Sequence, residues 1–482
     1  MATLLLLPLV GVFLQIVVPR RDSTLAWYAA LATSFCTLLL PLSWAASTLP
    51  NAVNMPWIPA VGASFALQMD GAALLFSILT GLVFFLAILA SPGKPATFYA
   101  LHLVMLAAAY GFFLAGDALL LFLCFEAVLI PMYFLIGVWG SQNRHQAAFR
   151  FVLYTVLGSV ALLLGILTLY LAHGSATGNF TFALAPLTQT ALPWRGFAFA
   201  AIVLGFAVKV PMLPLHSWLP LAHTEAPTSG SVILAAILLK MGTYGLFRMA
   251  VPLLSGEAWS ASATNVLLWL SAAAILYGGF AALGQTDAKR LVAYSSISHL
   301  GFCTLGLFSQ NSSALSGSLL QQINHGISTS LLFFLVGFLY ERRGTRDLAQ
   351  FGGLAKPMPR LSLVFGIAML GSAGLPLLNG FVGEFTILRG VFAVHPAVAS
   401  FSLLGIILAA AYLLVLFQKT MLGPVTLEAN RTLPDLRLRE WLIVLPLLGW
   451  SIWIGISPGG HFRLLDASVA AVVKPLLAGG RP

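Results

Sequence analysis

Four ionisable residues, Glu126, Lys209, Lys240 and Glu384, stand well inside long apolar stretches. A charge at the centre of an apolar membrane helix costs about 2.5–3.5 kcal/mol on insertion scales, so such residues belong in a paired or hydrated interior. The chemistry open to them is proton transfer. Glu126 lies in FEAVLIPMYF and is the natural counter-charge for Lys209. Desolvation makes an ammonium release its proton more readily and a neighbouring carboxylate opposes that, so separating the pair turns Lys209 into a better donor. Lys209 and His216 are seven residues apart, two turns of an unbroken helix, but Pro211 and Pro214 lie between them. The prolines distort that register and free carbonyls for water. Lys240 falls thirteen residues after Pro227, near the middle of its segment. His299 in YSSISHLGF and His325 in QQINHGISTSLL sit among Ser, Thr, Asn and Gln, which hold water, and histidine titrates near neutral pH. Glu384 follows Pro376 by eight residues, beside Gly374, Gly380 and Gly383. Each has a structural alternative: a carboxylate neutralising a buried cation, a lysine snorkelling to an interface, or a histidine satisfied in the core. His223 and Glu225 read as loop anchors.

Composition dictates the kind of scaffold that carries these residues. Of 482 residues 59% are apolar and 8% charged, whereas about a quarter of a soluble protein is charged. The chain therefore reads as an all-α integral membrane protein. At roughly 20 apolar residues per crossing, fourteen spans fit: three in 1–91, five in 97–254, five in 263–422 and one at 440–457. The N-terminal apolar run lacks a basic leader and a small-residue cleavage site and is expected to remain as the first span. The whole is expected to be a single domain. Odd-numbered loops collect most of the Lys and Arg, among them Arg20, Arg21, Arg144, Arg342, Arg343 and Arg346. Even-numbered loops and the tail hold Arg195, Arg248, Arg389, Arg463, Lys474 and Arg481. That asymmetry predicts cytoplasmic odd loops and both termini outside. The net charge of +10 thus reports topology and not nucleic acid.

Spans seven and twelve are interrupted, one by Pro211 and Pro214, the other by Gly374, Pro376, Asn379 and Gly380. Irregular backbone at membrane depth must be buried in protein or line a hydrated cavity. The two lie five spans apart, so spans 4–8 and 9–13 would run in opposite directions, the pattern of an inverted repeat. Cys36, Cys124 and Cys303 share no ligand spacing and read as inert thiols. No metal site, flavin fingerprint, haem signature or iron–sulfur cysteine set is legible, so redox chemistry is assigned to partners.

The stretches FEAVLIPMYFLIGVWG, KVPMLPLHSWLPLAHTEAPTSGSVILAAILLKMGTYG, YSSISHLGF and GFVGEF resemble the antiporter-like subunits of respiratory complex I, the NADH-quinone oxidoreductase, and most closely their M type. The resemblance covers essentially the whole chain. It implies fourteen helices, two inverted five-helix units, discontinuous helices seven and twelve, and proton translocation coupled to quinone reduction in other subunits. By motif, Glu126 and Lys209 match the family's interacting pair, Lys240 its central relay and Glu384 its distal ionisable residue. The glutamate of GEF favours the M type over the L and N types and over Mrp cation/proton antiporters, which resemble one another in having lysine there. Leu221 departs from an Asp that many M-type chains carry. The implied setting is a bacterial-type cytoplasmic membrane, with L and N neighbours, and with NADH or another donor, FMN, Fe–S clusters and quinone in partner subunits. The rival readings are an Mrp-type cation/proton antiporter subunit and a non-conducting scaffold of a related redox complex.

Overall fold

A computed structural model of the chain describes residues 1–19, 22–189, 192–255 and 257–479. Arg20, Arg21 and Arg481, which enter the charge asymmetry, lie outside them. In chain order the elements begin with α1 (Ala2–Val17) and α2 (Ser23–Ala45), then a hairpin of β1 (Val53–Ile58) and β2 (Ala63–Leu67). There follow α3 (Gly71–Leu89), α4 (Ala96–Leu114), α5 (Ala118–Ala127), α6 (Leu129–Trp139), α7 (Arg144–Thr177), α8 (Leu184–Gln189) and α9 (Arg195–Lys209). Next are α10 (Trp218–Glu225), α11 (Thr228–Ile233), α12 (Leu239–Gly245), α13 (Val251–Leu253) and α14 (Ser260–Leu283). The chain continues with α15 (Ala288–Phe308), α16 (Ser312–Arg343), α17 (Pro359–Ser372), α18 (Asn379–Val394) and α19 (Pro396–Ser402). It ends with α20 (Leu404–Met421), α21 (Leu438–Ile456) and α22 (Gly459–Gly479).

Among the described residues eleven helical stretches are long and apolar enough to cross a membrane. They make this a multi-pass integral membrane protein. The sequence count exceeds them by its first, seventh and twelfth segments, for reasons visible in the backbone. α1 has only 16 residues. The seventh segment stops at Lys209 and resumes as helix at Trp218, while the twelfth stops at Ser372 and resumes at Asn379. Proline removes a backbone donor and clashes with the preceding turn, and Pro211, Pro214 and Pro376 all fall inside these gaps. In the second gap Gly374 takes φ +81, a left-handed value that glycine adopts at no steric cost.

The chain forms two compact units, one of residues 1–211, 237–265 and from 464 onward, the other of residues 212–236 and 266–463. In the first, α7 packs against α9 so closely that a Cβ on Gly158 would lie 3.0 Å from the Gly205 carbonyl oxygen. Small residues let membrane helices approach in this way. In the second, α16 is the core helix, buried from Ala314 to Leu339 although it carries Gln321, Gln322, Asn324 and His325. Large apolar side chains such as Phe13, Leu157, Phe280, Ile407 and Ile456 are exposed, the surface expected of a protein solvated by lipid and partner helices. Cys36, Cys124 and Cys303 are free thiols.

Candidate functional site

In the first unit Glu126 sits near the C-terminal end of α5, half-buried, one residue after the buried Phe125. Its Oε1 meets the Ser159 hydroxyl of α7. Ser159 Oγ also lies 2.7 Å from the Thr155 carbonyl, and a hydroxyl has one proton and two lone pairs. When that proton goes to Thr155, Ser159 is left as an acceptor for a protonated Glu126, so the contact suits both charge states. Lys209, the last residue of α9, is 2% exposed. Its Nζ stands 4.3 Å from the centroid of the Phe125 ring, a cation–π placement. No ion pair joins Lys209 to Glu126 among the described residues, but Glu126 is the charged group acting electrostatically on the lysine. Glu126 and Lys209, read from the sequence as charge and counter-charge, converge on neighbouring residues of α5, the lysine on Phe125 and the Ser159 hydroxyl on Glu126.

Lys240 is fully buried on α12. That short α-helical stretch lies between two π-helical turns, Leu234–Leu238 and Leu246–Ala250. Such turns are rare and gather at functional sites, because each inserts a residue and rotates the register of the next turns. α12 packs against the end of α9: a Cβ on Gly242 would lie 3.2 Å from the Lys209 Cβ. The two lysines thus ride on touching elements.

In the second unit the polar side chains converge. His299 of α15 brings Nδ1 to 2.8 Å from Glu384 Oε1 of α18. The Gln321 amide of α16 donates to the same oxygen at 3.0 Å. The other ring nitrogen, Nε2, lies 3.0 Å from Tyr412 Oη of α20 and 3.4 Å from Ser372 Oγ at the end of α17. The His325 ring centroid is 5.7 Å from that of His299. Each of these two histidines and Glu384 is no more than 3% exposed. Among the described residues Glu384 Oε2 meets no donor, and it borders a cavity of about 370 Å³ whose walls include Gly374, Phe381, Phe385 and Arg389.

Asn379, the first residue of α18, holds this arrangement at the helix break. Its amide donates to the Asn324 carbonyl at 3.0 Å and to Ser328 Oγ at 3.2 Å, while Ser451 of α21 donates to its Oδ1 at 2.7 Å. Gly380 lets the broken ends close, since a Cβ there would lie 2.1 Å from the Gly371 carbonyl oxygen. His216, by contrast, bonds Tyr277 of α14 at 2.9 Å and no other candidate residue. His223 stacks on Phe333, with centroids 4.9 Å apart.

The sequence did not single out Ser159, Gln321, Ser372 or Tyr412. Gln321 belongs to the polar run QQINH, which sequence reading takes only as water-holding surroundings of His325; Tyr412, in an apolar stretch, carries no signal. Among the described residues no group of three or more His, Cys, Asp or Glu is placed to hold a metal ion.

Comparison with known proteins bears on this arrangement. The family described as NADH:quinone oxidoreductase/Mrp antiporter, TM, matches residues 115–409, which contain every residue of the candidate site except Ser451 and Tyr412. NADH-quinone oxidoreductase subunit M of Rickettsia bellii is 42% identical over 421 residues, covering 86% of this chain and 84% of its own. Subunit M of Escherichia coli K12 is 39% identical over 498 residues, covering 97% and 96%. A chain of respiratory complex I from Thermus thermophilus superposes with a TM-score of 0.89 at 33% identity, covering 98% of this chain and 99% of that one. The chain belongs to the NADH:quinone oxidoreductase/Mrp antiporter family, among its antiporter-like M subunits.

Proposed function

We propose that this chain is the M-type, proton-translocating membrane subunit of an NADH-quinone oxidoreductase, with Glu126, Lys209, Lys240 and Glu384 as proton-transfer residues and His216, His299 and His325 as relays. The observation that carries the reading is the burial of Lys209, Lys240 and Glu384, none more than 2% exposed. Groups that are costly to bury persist in membrane interiors where they form ion or proton pathways. In the first unit, a change in the charge or position of Glu126 alters the field at Lys209, and with it the lysine's hold on its proton. In the second, Glu384 and His299 exchange a proton across their 2.8 Å contact, and His325 lies next in reach of His299.

The full architecture is fourteen spans with inverted repeats over 97–254 and 263–422 and discontinuous helices seven and twelve. The helix stops at Lys209 and Ser372 support it. The odd loops face the cytoplasm of a bacterial cell, and both termini face outward. The chain does no redox chemistry; NADH or another donor, FMN, Fe–S clusters and quinone are held by partner subunits, and antiporter-like L and N subunits flank it in the bilayer.

The reading is tested by purifying the assembled complex, reconstituting it into sealed vesicles, and following proton and sodium movement during quinone reduction. Protons are expected to move without sodium in the medium. Transport that stops when sodium is removed would instead indicate a cation/proton antiporter, and quinone reduction unaffected by Lys209 or Lys240 substitution, with normal pumping, a scaffold.

A further inference from the structure

On the Arg248 side of Lys240 lies a cavity bordered by exposed residues such as Ala52 and Gln68, which the proton-transfer role of Lys240 does not itself explain. Four and eight residues further along the same run of helix come Tyr244 and Arg248. On helical geometry they are about 6 and 12 Å of axial rise from Lys240. Arg248 folds back, donating from Nε and Nη2 to Tyr244 Oη at 2.9 and 2.8 Å. Tyr244 Oη donates to the Phe113 carbonyl at 2.8 Å. The hydroxyl therefore has its one proton and both lone pairs engaged, and no proton can hop through it in this arrangement. Around it the rings of Phe76, Phe113 and Phe112 stand 5.0, 5.1 and 6.1 Å from the tyrosine ring, a dry aromatic layer.

Beyond Arg248 the packing opens into a cavity of about 390 Å³ lined by Gln68, Asp70, Thr188, Arg248 and Pro252 among others. At about 30 Å³ per water it has room for roughly thirteen. Asp70, the N-cap of α3, anchors the guanidinium: its Oδ2 lies 2.6 Å from Arg248 Nη2, while Oδ1 accepts from the Ala73 amide at 2.9 Å. Burial pushes the Asp70 carboxyl up, but Arg248 and the amide bring it below the usual carboxylate range. The ion pair is thus charged at neutral pH, and its contribution is lost only as pH falls through that depressed value.

We propose that this cavity is the vestibule through which Lys240 exchanges protons with the compartment on that side, and that Tyr244, Arg248 and Asp70 are positioning residues that close it. The inference rests on the function proposed for Lys240. In the closed arrangement described here Arg248 occupies both lone pairs of Tyr244. When the guanidinium swings away, a lone pair is freed and water can enter the aromatic layer. The Lys240 ammonium then gives up one proton to vestibule water, leaving a neutral amine and a hydronium ion; no other bond changes. A closed door keeps the lysine from equilibrating with that compartment between pumping events.

The test uses the intact complex in sealed vesicles. With redox turnover blocked, passive proton influx under an imposed pH gradient is compared for the native complex, Asp70→Asn, Asp70→Glu and Tyr244→Phe. Asp70→Asn is expected to raise the influx by about tenfold, the factor equivalent to about 1.4 kcal/mol, and to lower the protons moved per electron. Uncoupled quinone reduction should be retained. Tyr244→Phe keeps the ring layer but removes the oxygen that Arg248 donates to and leaves water-sized room in its place, so it is expected to leak in the same sense, and Asp70→Glu to restore tightness. Adding Lys240→Met to Asp70→Asn should return the influx to the native value. Assembled Asp70→Asn and Tyr244→Phe complexes that are as tight and as well coupled as the native one would overturn the proposal, as would a leak that survives Lys240→Met. Normal pumping by Lys240→Met alone is a different outcome: it removes Lys240 from proton transfer and defeats the functional reading itself.

Discussion

Lys209→Arg is expected to abolish most proton translocation by the assembled complex while leaving assembly intact. The substitution keeps a cation at the end of α9, where the ammonium now stands 4.3 Å from the Phe125 ring centroid. A guanidinium stacks on an aromatic face at least as well as an ammonium. It does not release its proton at accessible pH. A residue whose task is to be positive at that position tolerates the change; a residue that must give up and regain a proton does not. Positioned proton-transfer groups are worth about 10²–10⁴ in rate, and a fall of at least about tenfold in pumping is expected where other steps share control of turnover. The readout is proton uptake into vesicles during quinone reduction, normalised to the amount of assembled complex. Pumping at the native level would make Lys209 a structural cation.

A comparable loss is expected from Glu384→Gln, for a separable reason. Glutamine keeps the length and shape of the side chain, and its carbonyl oxygen still accepts from Gln321 and from a protonated His299 Nδ1, the two partners now on Oε1. It neither carries charge nor exchanges a proton. Pumping should therefore fall by at least about tenfold with thermal stability close to native. Glu384→Leu removes the acceptor as well, leaving His299 and Gln321 buried without it. Each orphaned buried polar group costs about 1–3 kcal/mol, so the leucine variant should lose stability as well as pumping. Equal loss of stability in both variants would make the carboxylate a packing element, and retained pumping in the glutamine variant would remove it from proton transfer.

Why some of this could be read from the chain and some could not has a physical basis. The membrane class comes from composition, since few charges and long apolar runs leave lipid as the solvent. Lys209, Lys240 and Glu384 stood out because burying a charge is expensive wherever the chain folds, and all three are buried. The helix stops at Lys209 and Ser372 were legible through Pro211, Pro214 and Pro376, whose effect is local. Contacts between distant segments were not. Tyr412 reaches His299 across 113 positions, and Asn379 reaches Ser451 across 72; a lone tyrosine or asparagine in an apolar run announces no partner. Seven-residue spacing would align His216 with Lys209 only in an unbroken helix; the helix ends at Lys209, before Pro211 and Pro214, and the ring bonds Tyr277. The π-helical turns on either side of Lys240 left no trace either, because that stretch is buried all round and has no polar face from which a helical period could be read. The hairpin of β1 and β2, with Pro56 and Pro59 within or beside it, has the composition of a loop.

Proton carriage by buried charge is tested most directly at Lys240, which is fully enclosed. The measurement is the number of protons moved per electron by intact complex in sealed vesicles, native against Lys240→Met, with uncoupled quinone reduction recorded on the same preparations. The expected result is a clear fall in that ratio, with the methionine filling the lysine's space and the complex assembled. An unchanged ratio in assembled Lys240→Met complex would contradict it.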